Sequence, residues 1–238
     1  MSILSDWYDR INSDQYDGYA SFVHKCFCDT AKIKVGEVLD LGCGTGGITC
    51  ALADMGYDMV AVDISYDMLS LAKRHEKVLY INGDMRELDL YGTVQAAYSS
   101  YDCLNCMMTE QDLDMAISNV ALFLENGGAF VFDVNTAYCA REIYDGKCYC
   151  YEHGDDMLVW RSAASGSRVA FYLTEFRCRG TEIERRDDII TERIWSDRKL
   201  RQLLKKHGFE ITAVYGGTDL HPLSETDRKA YYCCRKEV

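Results

Sequence analysis

Three aspartates and one glycine-rich turn are the residues of this chain best suited to holding a small charged ligand. The turn is Asp40-Leu41-Gly42-Cys43-Gly44-Thr45-Gly46-Gly47, entered from the apolar run Val38-Leu39. Glycines at 42, 44 and 46 let the backbone turn tightly and approach a ligand, where a Cβ would clash or forbid positive φ. A helix starting at Gly47 then offers free N–H groups and its positive dipole end to an anion. The segment also fits G-x-G-x-x-G through Gly42, Gly44 and Gly47, so the glycines alone define only a nucleotide-cofactor loop. The acidic residues narrow the choice. Asp63 ends a second apolar run, where a carboxylate can accept both ribose hydroxyls. Asp84 ends a third, in Asn82-Gly83-Asp84-Met85, where it can take the exocyclic amine of adenine while Met85 packs on the ring. Asp40, just before the turn, is placed to orient an ammonium group, which a nicotinamide dinucleotide lacks.

Those positions need a parallel sheet, and the hydropathy pattern supplies one. Short β-branched runs alternate with amphipathic stretches over residues 33–132, the signature of βαβ units. Strands are expected at 38–41, 59–62, 78–81, 96–99 and 129–134, and helices at 47–55, 66–74 and 111–124. Gly56 stops the first helix, Ser65 caps the second, and Asn126-Gly127-Gly128 turns the third into its strand. After Val134 the alternation breaks. Residues 136–195 read as antiparallel strands, with turns at Asp145-Gly146, Gly154-Asp155, Ser165-Gly166 and Arg179-Gly180. A helix over 197–207 and strands over 209–215 and 230–235 return the chain to the first sheet. No proline- or serine-rich linker separates the parts, so residues 1–238 are expected to form one domain, with 136–195 as an inserted β-rich lid.

Composition removes several classes of function. With 48% hydrophobic and 12% aromatic residues and no low-complexity tract, the chain is a folded globular protein. No apolar run reaches membrane-spanning length, and Met1-Ser2-Ile3-Leu4-Ser5-Asp6-Trp7-Tyr8 has neither the basic start nor the apolar core of a signal peptide; a cytoplasmic location is expected. A formal charge of −12 argues against a nucleic-acid substrate. Of the 12 cysteines only Cys103-x-x-Cys106 has zinc-like spacing, and neither a second such pair nor a paired histidine completes a site. No metal is expected, and the cysteines are expected to be reduced, buried, small hydrophobes.

Taken together, Leu39-Asp40-Leu41-Gly42-Cys43-Gly44-Thr45-Gly46, Val62-Asp63-Ile64-Ser65, Gly83-Asp84-Met85 and Gly127-Gly128-Ala129-Phe130-Val131-Phe132-Asp133 resemble class I S-adenosylmethionine-dependent methyltransferases. Within them the chain is similar to the small-molecule branch that includes glycine and sugar-amine N-methyltransferases. The supporting residues are Trp7-Tyr8-Asp9-Arg10, Gln15-Tyr16-Asp17-Gly18-Tyr19, Asp102-Cys103-Leu104-Asn105 and Thr191-Glu192-Arg193-Ile194-Trp195-Ser196. The resemblance implies a Rossmann-like, doubly wound α/β fold whose seven-stranded sheet is ordered 3-2-1-4-5-7-6, its last-numbered strand antiparallel. It implies S-adenosyl-L-methionine as cofactor, leaving as S-adenosyl-L-homocysteine. The expected cofactor set is Asp40, Gly42, Gly44, Thr45, Gly46, Asp63, Ile64, Met68, Asp84 and Met85, with Ser99 near the methionyl end. The chain departs from the family where Tyr19 replaces a usual tryptophan and Cys103 a usual serine, both of which bear on pocket shape.

Methyl transfer from a sulfonium is an in-line displacement, so positioning dominates. Asp102, beyond the fourth strand, is the expected base or ammonium anchor, and Tyr8 and Tyr16 are expected to close over the methyl group. Asn135, Tyr138, Arg193 and Trp195 are expected substrate walls, with Arg193 available for a carboxylate. The acceptor is expected to be a small molecule, an amine by preference, and the assembly a monomer or homodimer. Two alternatives remain open at this point: a non-catalytic S-adenosylmethionine-binding regulator with an occluded lid, and a nicotinamide oxidoreductase, against which Asp40 and Asp84 argue.

Overall fold

The computed structural model describes residues 2–237. Two helices precede the first strand. In α1 (Ile3–Asn12) the Ser2 side chain accepts the Ser5 N–H, and Ile3 and Trp7, one turn apart, are buried. A short 3₁₀ turn leads into α2 (Tyr16–Ala31), which buries Tyr19, Val23, Cys26 and Phe27 along one face.

The central sheet is built from β1 (Glu37–Leu41), β2 (Asp58–Asp63), β3 (Val78–Asn82), β4 (Val94–Ser99), β5 (Leu124–Asn135), β10 (Phe209–Tyr215) and β11 (Lys229–Lys236). Its order is β3-β2-β1-β4-β5-β11-β10, and β11 runs antiparallel to both of its neighbours. The expected 3-2-1-4-5-7-6 order is therefore the observed one. Helices α3 (Gly47–Asp54), α4 (Tyr66–Leu71), α5 (Glu110–Phe123) and α6 (Asp197–Lys206) complete the wrapping. Period-two alternation divides the core between the two faces of the sheet. Val38, Ala96, Tyr98 and Val131 join Phe27 and Leu52 on one side, while Leu39, Leu41, Phe130 and Phe132 join Ile117 and Leu204 on the other.

Two boundaries differ from expectation. The helix expected over 66–74 ends at Leu71, because Ala72 turns extended and the Lys73 N–H is drawn to the Thr45 carbonyl at 3.2 Å. The Asn126-Gly127-Gly128 turn lies inside β5 as an irregularity in the ladder: Leu124 pairs with Val94, but the next pair is Ala129 with Ala96.

A second, antiparallel sheet follows the core strand β5. After a six-residue π-helical turn, Cys139–Tyr144, come β6 (Cys148–His153), β7 (Asp156–Ser165), β8 (Arg168–Arg179) and β9 (Glu182–Arg193). Helix α1 packs on this sheet, with Ile3 and Trp7 against Leu158 and Leu173. Trp7 Nε1 donates to Glu175 Oε1 at 2.7 Å. Arg177 and Arg186 each pair with both Glu175 and Asp6, so the buried Glu175 and the half-buried Asp6 are neutralised in place. The same helix reaches the glycine turn, because Asp9 accepts the hydroxyls of Thr45 and Tyr16. Helix α1 thus ties the second sheet to the turn after β1. Five of the cysteines are buried, whereas Cys106, Cys148 and Cys150 are exposed, which corrects the expectation of a uniformly buried set. No helix among the described residues is long and apolar enough to cross a membrane.

Candidate active site

A cavity of about 1040 Å³ opens at the carboxyl ends of β1 to β4, the place where open α/β sheets bind ligands. On one side it is lined by the turn after β1 and the ends of β2 and β3. Gly42 has φ +81°, and a Cβ there would run into the Cys103 side chain, whose Cβ it would meet at 3.0 Å. Only glycine fits that gap. Asp63 closes the turn from the next strand: its Oδ2 accepts the Gly44 N–H at 2.7 Å and its Oδ1 the Ser65 N–H at 2.7 Å. Burial pushes the Asp63 carboxyl up despite these bonds. Asp84 is held from below by Arg86, whose Nε lies 3.0 Å from both carboxylate oxygens, and this pairing moves Asp84 below its ordinary value.

Asp40 is 1% exposed and does not line the cavity. It faces the α2 and α3 side of the sheet, where its Oδ2 accepts from Thr49 Oγ1 at 2.5 Å and from the Tyr98 hydroxyl. Its Oδ1 is buried with no partner among the described residues. Burial pushes Asp40 up to about 7.

The opposite side of the cavity is a polar floor under an aromatic wall. Tyr101 and Asp102 follow β4 with φ of +52° and +57°, a conformation non-glycine residues adopt at a cost. The fully buried Asp133 holds them there. Its carboxylate accepts both of their N–H groups at 2.8 Å, Lys229 Nζ at 2.8 Å, and the Tyr19 hydroxyl. Lys229 Nζ also reaches Asp102 Oδ1 at 2.7 Å. Burial opposes the charge on Lys229, but Asp102 and Asp133 outweigh it and keep the ammonium protonated. Asn135 Nδ2 then donates to Asp102 Oδ2 at 2.7 Å and to Glu192 Oε2 at 2.9 Å. Above this floor stand Tyr144, Tyr151, Trp160, Phe171 and Ile190 from the second sheet and its approach.

Of the residues singled out in the sequence, Tyr8, Gly42, Gly44, Asp63, Ile64, Met68, Asp84, Met85, Asp102 and Asn135 line this one cavity. Others do not. Thr45 is buried against Asp9, Gly46 opens α3 with φ +73°, and Ser99 donates its hydroxyl to the Leu41 carbonyl at 2.9 Å. Tyr16 bonds Asp9 at 2.7 Å and packs its ring on Gly47, so it anchors α2 to the turn and stands off the cavity. Tyr138, before the π-helical turn, and Trp195, beyond the end of β9, stand off it, and so does Arg193, for a reason of strand phase. On β9, Glu192 pairs with Val169 and Ile190 with Phe171, so the even positions face the cavity and Arg193 faces away. Arg193 stacks on Trp195 at 4.1 Å and donates to the Met108 carbonyl at 3.0 Å, while Trp195 Nε1 reaches the Leu104 carbonyl at 3.2 Å inside the core. Sequence reasoning missed Tyr101, Glu192 and Lys229. Glu192 was within reach of a strand-phase argument; Lys229 comes from the far end of the chain and required the β5–β11 pairing.

The fold and the glycine turn at its switch point are those of a class I S-adenosylmethionine-dependent methyltransferase. Residues 38–128 match the methyltransferase domain family, and the chain is an S-adenosylmethionine-dependent methyltransferase. It is 26% identical over 230 residues to YqeM of Bacillus subtilis (strain 168), a candidate methyltransferase by name, covering 93% of this chain and 91% of that one. Among solved structures it is similar to an S-adenosylmethionine-dependent methyltransferase from Clostridium acetobutylicum ATCC 824, with TM-score 0.85, 21% identity, and 97% and 96% of the two chains covered. It is also similar to the sugar N-methyltransferase KedS8 from Streptoalloteichus sp ATCC 53650, with TM-score 0.84, 18% identity, and coverage of 98% and 92%.

Proposed function

We propose that this methyltransferase acts on a small-molecule amine, held between the cofactor turn and the second sheet. The cavity's charge carries the reading. Asp63, Asp84, Asp102, Asp112, Asp227 and Glu192 face only Arg86, Arg228 and Lys229 along its walls, six carboxyl groups against three cations. Two of those cations are already committed, Arg86 to Asp84 and Asp112, and Lys229 to Asp102 and Asp133. Such a site favours a cationic guest and disfavours a carboxylate. The aromatic wall adds ring faces to which an ammonium is attracted. The resemblance to a sugar N-methyltransferase points the same way.

In this reading Gly42 and Gly44 let the backbone approach the cofactor, Asp63 accepts the ribose hydroxyls with its remaining lone pairs, and Asp84 and Met85 receive the adenine. S-Adenosylmethionine supplies an electrophilic methyl group on a sulfonium. The chain's own task is to hold the acceptor nitrogen in line with that methyl, unprotonated and shielded from water. Tyr8 and Tyr101 stand edge to face 6.2 Å apart beside the turn and close that space. The second sheet serves as the substrate-side lid of a single domain.

Paired acceptors test this directly. The purified chain, loaded with S-adenosylmethionine, is offered benzylamine and cyclohexylamine beside the matching alcohols. Methylation confined to the amines is expected; methylation of the alcohols alone would overturn the amine reading.

A further inference from the structure

We propose that Glu192 is the group that removes the proton from the acceptor nitrogen, with Asp102 as the fixed charge that draws the ammonium in; this rests on the amine reading above. The geometry begins with a single amide. Asn135 Nδ2 lies 2.9 Å from Glu192 Oε2 and 2.7 Å from Asp102 Oδ2, so one NH₂ group bridges two carboxyls on the cavity floor. The two acids differ in what else they touch. Asp102 has Lys229 at 2.7 Å, whereas Glu192 has no ion-pair partner among the described residues. A carboxyl without a cation of its own is the better proton acceptor. Asn135 is fully buried, lines the cavity, and leaves its amide oxygen without a partner, an acceptor that an incoming N–H would satisfy.

The groups facing Glu192 come from several elements. They are Asp102 after β4, Asn135 on β5, Lys229 on β11, Cys106 from the turn at 103–106 and Tyr144 from the π-helical turn. Burial and the charge of Asp102 push Glu192 up; Asn135 and Lys229 pull it down, and the net direction is up. Burial without a cation of its own thus favours the un-ionised form of Glu192 in the resting site, beside the lysine-paired carboxylate of Asp102.

A full cycle balances on that proton. An ammonium entering beside Asp102 displaces the Glu192 proton to solvent, one cation for another. The ionised Glu192 then takes an N–H proton, which frees the nitrogen lone pair. The nitrogen attacks the methyl carbon; the N–C bond forms as the C–S bond breaks, and the C–S electron pair stays on sulfur. The product leaves as an N-methylammonium, Glu192 is again protonated, and one proton has been released per turnover.

The test is Glu192→Gln, which keeps the side-chain shape and an oxygen for Asn135. Unchanged calorimetric affinity for S-adenosylhomocysteine establishes that the variant is folded. Infrared difference spectra of wild type against the variant at pH 7 are expected to show the C=O stretch of an un-ionised carboxylic acid; its absence would overturn the resting state. With benzylamine as probe, the variant is expected to lose about 100-fold in kcat with a smaller change in KM. Its rate should then climb with pH toward the ionisation of free benzylamine, and Glu192→Asp should restore part of the wild-type profile. A variant with the wild-type kcat and pH profile would sink this assignment alone. A wild type that methylates alcohols and no amine would instead remove the amine reading, and this proposal with it.

Discussion

Replacing Asp40 by Asn isolates a single buried ionisation. Asp40 is 1% exposed, its Oδ2 is used by Thr49 and Tyr98, and its Oδ1 faces no donor. Burial, reinforced by the nearby Asp63 charge, sets its ionisation at about 7. In the unfolded chain an aspartate ionises near pH 4. Between those values the folded chain keeps a proton that the unfolded chain has lost. Stability of the cofactor-free protein therefore falls as pH rises from about 4 through about 7, by at most about 4 kcal/mol. Asn cannot ionise, and its oxygen can accept from Thr49 and Tyr98 as the protonated acid does. The two proteins should be about equally stable at pH 5, and at pH 8 the variant should be the more stable by several kcal/mol, measured by urea unfolding at each pH. Other titrating groups are common to both chains and drop out of the difference. If the two stability profiles run parallel from pH 5 to 8, Asp40 is not the buried acid argued here. Because Asp40 does not line the cavity, Asp40→Asn is expected to keep its calorimetric affinity for S-adenosylhomocysteine; a loss of about 10-fold or more would put a cofactor group on its carboxylate.

Three further outcomes follow from the geometry. Asp63→Ala removes the acceptor of two turn N–H groups and, in the proposed cofactor reading, of the ribose hydroxyls, and is expected to weaken cofactor binding by about 100-fold in calorimetry. Asp102→Ala should spare that binding while cutting turnover of an amine, so equal cofactor affinity in the Asp63 variant would refute the placement of the ribose. Trp7→Ala empties the junction between α1 and the second sheet and leaves Glu175 without its indole donor; a loss of about 3–5 kcal/mol is expected in chemical denaturation, and a loss below about 1 kcal/mol would show that α1 is not a structural tie.

The parts of this molecule that could be read from its sequence are those governed by local periodicity. Val38-Leu39 and the glycines after it announce a buried parallel strand and its turn because both are short-range patterns, whereas the strand order is reached only through the family resemblance that those motifs carry. What stayed hidden depends on register between distant segments. Asp102 looked like a free carboxylate because nothing near it in sequence is basic; its cation, Lys229, arrives only through the pairing of β11 with β5. Arg193 looked available because the mixed charges of its own strand, Arg185-Arg186-Asp187-Asp188 and Glu192, give no sign of phase; one residue of alternation on β9 turns it onto Trp195 and puts Glu192 into the cavity. Ser99 sits at the expected end of β4, yet the sheet had already used its hydroxyl on Leu41. The backbone contribution to the cofactor turn is thus a local property of the sequence, and the charge balance of the cavity floor is a tertiary one.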